Sequence, residues 1–426
     1  VTKNRSAALA DALNVYARRV GAFRPNARLY LANVIVTGAS MGVFRLLFNF
    51  YVLSLGYDEA LLGQLITIGN LTALLVALPA GYLADLLGRK RSLILSGLAV
   101  TASIVGMVFW PQAWVFYLMN ILSGIGQALA GVTMSPFLME NSGDEERTYL
   151  FSFASGLQMA SAFVGNWLGG YLPGWIGAWR VVEATSSLAY GGSLLVVAGV
   201  YLLGLSPLAG LRSSGLSRQE RSVFAPVRYA RRQPALLTRL VLPMFVTSIG
   251  AGLIMPFMNV FFRVVHQQPD PAIGSLFAWG SLAMGLGLLI APALADRMGK
   301  IQVVVITQGL SIPFLVLLGF APWFWVSALA YYIRLALMNM SGPVYQTFVM
   351  EHVEPSARAT VASLVSMSWN FGWAFSPTIS GWLQVNYGFG PAYLGTILLY
   401  TLSVYLYWAF FWKRQPEASL ASMPGN

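Results

Sequence analysis

Of the 426 residues, 57% are hydrophobic and only 10% charged, against roughly a quarter charged in a soluble domain. So few polar groups cannot cover a water-facing surface, so the solvent is lipid. The chain has no cysteine, which excludes a disulfide framework and a thiolate metal site. Its two histidines, His266 and His352, leave little for an imidazole metal centre or a Ser-His pair. The formal net charge of +11 raises nucleic acid as a partner, but the placement of the cations argues against it.

Residues 6–20 put Leu9, Leu13, Tyr16 and Val20 on one helical face, with Asp11, Arg18 and Arg19 largely elsewhere. That pattern suggests an amphipathic helix at a membrane interface; a frayed tail is the alternative. No short apolar stretch followed by a small-residue cleavage site stands at the start, so no cleaved signal peptide is expected. Apolar runs of about 20 residues then recur, each able to cross a ~30 Å hydrocarbon layer as a helix. The first six spans fall near 30–54, 60–84, 91–110, 113–137, 148–172 and 183–205. The second six fall near 237–262, 272–294, 301–320, 323–348, 358–383 and 389–412. Glycine and proline are tolerated inside them because neighbouring helices satisfy the freed backbone groups. The expected organisation is a segment 1–29, a six-helix bundle 30–205, a polar linker 206–236, a second bundle 237–413 and a tail 414–426.

With the N-terminus cytoplasmic, the inner segments hold 22 of the 26 Lys and Arg. They include Arg89, Lys90 and Arg91, and Arg212, Arg218, Arg221, Arg228, Arg231, Arg232 and Arg239. Arg180 and Arg263 fall outside, and Arg45 and Arg334 fall within spans. This asymmetry predicts both termini inside. It also accounts for the basic character without a nucleic-acid partner.

The chain repeats at an offset of 211 residues. Gly63 maps to Gly274, Asp85 to Asp296, Gly88 to Gly299, Glu140 to Glu351, Arg147 to Arg358 and Gly170 to Gly381. Six crossings per half give both copies one orientation, as in transporters built from parallel halves about an axis along the membrane normal.

Gly81-Tyr82-Leu83-Ala84-Asp85-Leu86-Leu87-Gly88-Arg89-Lys90-Arg91 resembles the signature loop between the second and third helices of the major facilitator superfamily. Pro292-Ala293-Leu294-Ala295-Asp296-Arg297-Met298-Gly299-Lys300 looks like its degenerate copy. The resemblance covers essentially the whole chain. It implies an all-α membrane fold of twelve helices in two six-helix bundles related by a pseudo-two-fold axis. It also implies a cytoplasmic latch made of Gly81, Asp85, Gly88, Arg89, Glu140 and Arg147, with Asp296, Gly299, Lys300, Glu351 and Arg358 as the mirror set. By residue chemistry alone these are equally readable as interfacial ion pairs of small individual worth. Two patterns of the family's proton-coupled drug exporters are only partly met. The fourth span reads Ser123-Gly124-Ile125-Gly126-Gln127 where those exporters usually carry Arg. The fifth reads Gly165-Asn166-Trp167-Leu168-Gly169-Gly170, with the corresponding proline appearing only in the copy, Ser376-Pro377-Thr378-Ile379-Ser380-Gly381.

A charge at a span centre costs at least ~2.5–3.5 kcal/mol and points to function. Arg45 and Arg334 are the candidates, and no Asp or Glu is expected deep in any span. The resemblance implies that the first, fourth, seventh and tenth spans line a central cavity, which the two arginines would make favourable to an anion. Asn49, one turn from Arg45, its counterpart Asn259, and Gln127, which shares a face with Asn120, complete the candidate substrate set. The alternatives are that Arg45 pairs with Asp58 or Glu183 and that Arg334 is a buried structural group. Met244, Met255, Met258 and Phe257 read as either an adaptable apolar pocket or packing.

The expected function is secondary transport of an organic anion or amphiphile by alternating access, with export slightly favoured. Uptake of a small anion and proton-coupled multidrug antiport are the runners-up. No cofactor or metal is expected, and the partners are the substrate and the bilayer, with a monomer expected. A membrane enzyme lacks a nucleophile-and-base set, and ATP-driven pumping lacks a Gly-x-x-x-x-Gly-Lys-Ser/Thr loop. A sensor or scaffold stays open. Lean loops and 22 Arg to 4 Lys suggest a bacterial cytoplasmic membrane.

Overall fold

In lipid a backbone must satisfy its own polar groups, so each apolar run closes into a helix. The computed structural model describes residues 21, 23–143, 146–212, 233–353 and 358–412, without the side chains of 148, 358–360 and 363. The segment 6–20, most of the linker and the tail lie outside the described residues.

Twelve long helices occur among the described residues, in the places the apolar runs predict. They are α1 (Pro25–Ser54), α2 (Glu59–Leu87), α3 (Arg89–Phe109), α4 (Ala113–Glu140), α5 (Arg147–Arg180) and α6 (Ser187–Leu203). Then come α7 (Pro234–Val264), α8 (Asp270–Met298), α9 (Lys300–Phe320), α10 (Phe324–Glu351), α11 (Arg358–Tyr387) and α12 (Gly390–Tyr407). Nine of the described helices are long and apolar enough to cross a membrane. The helices α5, α10 and α11 are as long but diluted by Ser, Gly, Asn, Gln and Trp. Local chemistry sets several ends. The Asp58 carboxylate accepts from Leu61 N at 2.9 Å and starts α2, and Ser186 caps α6 through Ala189 N at 3.2 Å. Pro256 breaks α7: Met255–Phe257 form a 3₁₀ turn before the helix resumes at Met258.

The chain divides into two compact units, and the division does not follow the halves of the sequence. The first unit comprises the described residues of Val1–Glu220 together with Pro256–Leu282. In it α1 packs on α5 and α6, α2 on α4, and α3 on α4 and α6. Small residues permit the closest crossings: a Cβ on Gly42 would lie 3.0 Å from the Ala162 carbonyl oxygen. The second unit comprises the described residues of Arg221–Met255 and Ala283–Asn426. Here α7 packs on α11 and α12, and α9 on α10 and α12, repeating the pairings of the first unit. Gly252, which matches Gly42, would place a Cβ 2.8 Å from Ser376 Cβ.

Candidate functional site

The two signature turns are built alike. Gly88 (φ 78°, ψ 158°) joins α2 to α3, and Gly299 (φ 93°, ψ 150°) joins α8 to α9. That backbone region is essentially restricted to glycine. The reversal brings Arg89 to two carboxylates: Nη1 donates to Asp85 Oδ1 at 2.8 Å and Nε to Glu140 Oε1 at 3.1 Å. Arg24 also donates to the Glu140 carbonyl oxygen at 3.4 Å. In the copy Lys300 pairs with Glu351, at the same sequence separation as Arg89 from Glu140, and Asp296 is exposed and makes no ion pair among the described residues. A guanidinium fork serves two acids at once, whereas the ammonium here serves one. Gly81 lies one turn before Asp85 in α2, and a Cβ there would meet nothing within 4 Å. Arg147 opens α5, and the side chain of Arg358 lies outside the described residues.

The two intramembrane arginines have opposite surroundings. Arg45 is exposed and makes no ion pair among the described residues. Asp58 is occupied in capping α2. Arg45 lies one turn before Asn49, on the stripe of α1 that Asn49 turns toward residues 256–259. Arg334 is only 2% exposed, inside the second unit. Its Nη2 donates to Tyr400 Oη at 3.0 Å, its Nη1 approaches Met255 Sδ at 3.6 Å, and its Nε has no partner among the described residues. The guanidinium also stands 5.4 Å from the Tyr400 ring centre. No carboxylate pairs with it among the described residues. Arg334 thus fastens α10 to α12 and to the break in α7.

The remaining candidates are engaged with neighbours. Asn49 and Asn259 are buried and hydrogen-bonded to each other at 2.7 Å. Gln127 is exposed and donates to Ser123 Oγ at 3.1 Å, while Asn120 is turned inward to the Phe116 carbonyl at 2.8 Å. Met258 and Phe257 are each 1% exposed, and Met244 packs against the core around Tyr345 and Tyr407. They are packing in this arrangement.

One buried acid lies at a helix end. Asp270, the first residue of α8 and outside the predicted span 272–294, is 7% exposed. Its Oδ2 accepts from Tyr190 Oη at 2.7 Å, and it forms an ion pair with Arg263, one of the cations expected outside. Arg263 Nη2 donates to Tyr190 Oη at 2.6 Å and its guanidinium lies 3.4 Å from the Phe50 ring centre. The run Pro269-Asp270-Pro271 reads as a loop; packing against α5, α6 and α7 buries it. An acid and a base seven residues apart across one short turn were the available signal.

A family model described as Major Facilitator Superfamily matches residues 30–269 and 240–423. The chain is 22% identical over 415 residues to the multidrug resistance protein MdtG of Proteus mirabilis, covering 94% of this chain and 98% of that protein. It is 23% identical over 300 residues to the multi-drug resistance efflux pump PmrA of Streptococcus pneumoniae, covering 68% and 72%. Among solved structures, a bacterial homologue of the human lysosomal transporter Spinster superposes with a TM-score of 0.75 at 15% identity, covering 93% of this chain and 100% of that one. The nucleoside transporter NupG superposes with a TM-score of 0.73 at 16% identity, covering 92% and 100%.

Proposed function

The chain belongs to the major facilitator superfamily, a family of membrane transporters and not of enzymes, and from that membership we propose that it moves an organic anion or anionic amphiphile by alternating access. The observation that carries the substrate class is Arg45: an accessible guanidinium within a membrane helix, with no carboxylate paired to it among the described residues. Such a group is retained against a cost of at least ~2.5–3.5 kcal/mol. It offers a planar, always-charged fork that matches carboxylate or phosphate. Exposed Gln127 on α4, in the same unit, supplies an amide to orient the ligand.

The end carrying Arg89, Lys90, Arg91 and Lys300 is cytoplasmic in this reading, by the positive-inside rule. The Asp85–Arg89–Glu140 and Lys300–Glu351 pairs then act as inner latches. The Asn49–Asn259 pair and the Arg263–Asp270–Tyr190 cluster close the outer end. Arg334 holds the break in α7 in register. Export is the favoured direction, supported by relatives named as multidrug efflux proteins. The chain works as a monomer in a bacterial cytoplasmic membrane, with both termini inside. Uptake into proteoliposomes from a panel of organic anions, cations and zwitterionic lipids, with and without a pH gradient, tests the reading. Flux of anions that falls at least tenfold at sub-saturating concentration in Arg45→Gln is the expected result; flux of cations alone would overturn it.

A further inference from the structure

Five aromatic side chains follow one another along α5 at four-residue steps: Phe163, Trp167, Tyr171, Trp175 and Trp179. Residues four apart lie one above the other on a helix, so the rings form a single file. Trp167 meets Tyr171 with ring centres 5.6 Å apart, and Tyr171 meets Trp175 at 6.2 Å. At the mid-helix end Phe163 packs edge-on against Trp279 of α8 at 5.9 Å, within the same unit. At the other end the Arg180 guanidinium lies 5.8 Å from the centre of the Trp179 ring. Two positions before Trp167 and Tyr171 stand Gly165 and Gly169, which pack on α1. Two residues turn a helix by about 200°, so the file faces away from the bundle. Trp167, Trp175 and Trp179 are 46%, 56% and 77% exposed, and in a membrane protein that surface meets lipid.

Phe163 stands at the middle of this 34-residue helix and Arg180 ends it. From Phe163 to Trp179 the helix rises about 24 Å, close to half of a bilayer with its headgroups, about 20–22 Å. Interfacial Trp and Tyr form belts at the membrane surfaces, which accounts for Trp175 and Trp179 but not for Trp167 and Phe163. Nor does the fold require the file. At the 211-residue offset the second half carries Ala374, Thr378, Trp382, Asn386 and Gly390, with a single aromatic among them. We infer that the file is a binding site for an anionic phospholipid, in the leaflet at the end of the unit opposite Gly88. One acyl chain lies along Phe163, Trp167 and Tyr171, and the phosphate meets Arg180. Rings with two χ angles give a broad, rigid wall at low entropic cost. That counts most in lipid, where dispersion and not the hydrophobic effect decides what packs on a helix. Arg180 makes no ion pair among the described residues, although exposed Glu183 follows three positions later. The Trp179 ring steadies the guanidinium, whose planar fork matches a phosphate. Tyr171 Oη makes no hydrogen bond among the described residues. It lies about 14 Å below Arg180 along the helix, at a depth where an ester carbonyl can accept from it. The inference needs only the membrane setting, not the substrate or direction of transport.

Photo-crosslinking of the full chain in phosphatidylcholine nanodiscs tests this. The probes are trace phosphatidylglycerol or phosphatidylcholine carrying a diazirine either at the chain end or beside the ester, and the labelled residues are read by peptide mass spectrometry. The expected result is labelling of α5 in order of depth. The chain-end probe should mark the stretch around Phe163 and Trp167, and the ester-side probe the stretch from Tyr171 to Trp179. Phosphatidylglycerol should label α5 about fivefold more than phosphatidylcholine, the size expected of one exposed ion pair. Arg180→Gln should abolish that preference and keep the depth order, and Arg180→Lys should restore most of it. Trp167→Leu with Tyr171→Leu should bring labelling of α5 down to the level of the other lipid-facing helices, while Trp382→Leu in the second half should change nothing. Equal labelling by the two lipids in the parent protein overturns the inference, as does labelling of α5 no stronger than that of α3 or α12. Unlabelled oleate that displaces the probe where unlabelled phosphatidylglycerol does not would make the occupant a free fatty acid and overturn it too. If the double variant does not purify as a folded protein, a lipid preference that survives Arg180→Gln overturns it instead.

Discussion

Asn49 and Asn259 hold each other's helix at the same register. Asn49 Nδ2 donates to Asn259 Oδ1 and to the Pro256 carbonyl, both at 2.7 Å, and Asn259 Nδ2 donates to the Leu46 carbonyl at 2.8 Å. Each amide reaches the carbonyl three residues before its counterpart, a local two-fold relation between positions 210 residues apart. In lipid an amide in this role joins helices, because a lone polar group has nowhere else to go.

That reciprocity predicts strong coupling. Asn49→Val and Asn259→Val should each lower thermal stability by about 1–2 kcal/mol, and the double variant should be no worse than the poorer single one. Thermal unfolding in detergent for the full mutant cycle measures this. Additive losses would mean that the two side chains act independently.

Backbone strain predicts a contrast among three glycines. Gly88→Ala should cost about 1–3 kcal/mol although open space surrounds its Cα, because its backbone region is the one alanine avoids. Gly81→Ala, inside α2 with nothing within 4 Å, should be neutral or stabilise by up to about 1 kcal/mol. Gly299→Ala should lose a similar amount, since its backbone is in the same region and the Gln302 side-chain end that its Cβ meets can swing aside. Melting temperatures of the three variants decide the order.

The two latches should respond differently to exchange of their cations. Arg89→Lys gives up one of two carboxylates and should slow transport while costing under about 1 kcal/mol of stability, as these pairs are partly exposed. Lys300→Arg gains a fork with Asp296 four residues away and should bias the chain toward the latched state. Turnover rates of both variants, with substrate saturating, give the comparison.

The two arginines within membrane helices should separate by assay. Arg45→Gln should raise the KM for an anion at least tenfold and leave the melting temperature within a few degrees. Arg334→Met should leave stability unchanged or higher, because it removes a buried charge with no counter-ion among the described residues, yet lower the maximal rate by freeing the break in α7 from Tyr400 and Met255. A Michaelis–Menten series beside a melting curve for each variant tests the pairing of effects. A raised KM with unchanged rate in Arg334→Met would place that residue in contact with substrate instead.

The sequence by itself determined that this chain lives in lipid, that it crosses twelve times, and that its two turns at Gly88 and Gly299 are copies. Those properties are local: an apolar run of fixed length must be a helix in a bilayer, and a repeat is visible wherever rare charges recur at one offset. The pairing of Arg89 with Asp85 was equally legible, because four residues set it. Tertiary structure alone decided which polar side chains are spent on holding helices together. Asn49, Asn259 and Arg334 carry the same chemistry as ligand groups; only the approach of α7 and α12 gives them partners inside the protein. Asp270 shows the converse. Its neighbours in sequence mark a loop, and its burial comes from Tyr190 and Arg263, which lie 80 and 7 residues away and meet it only after the helices pack.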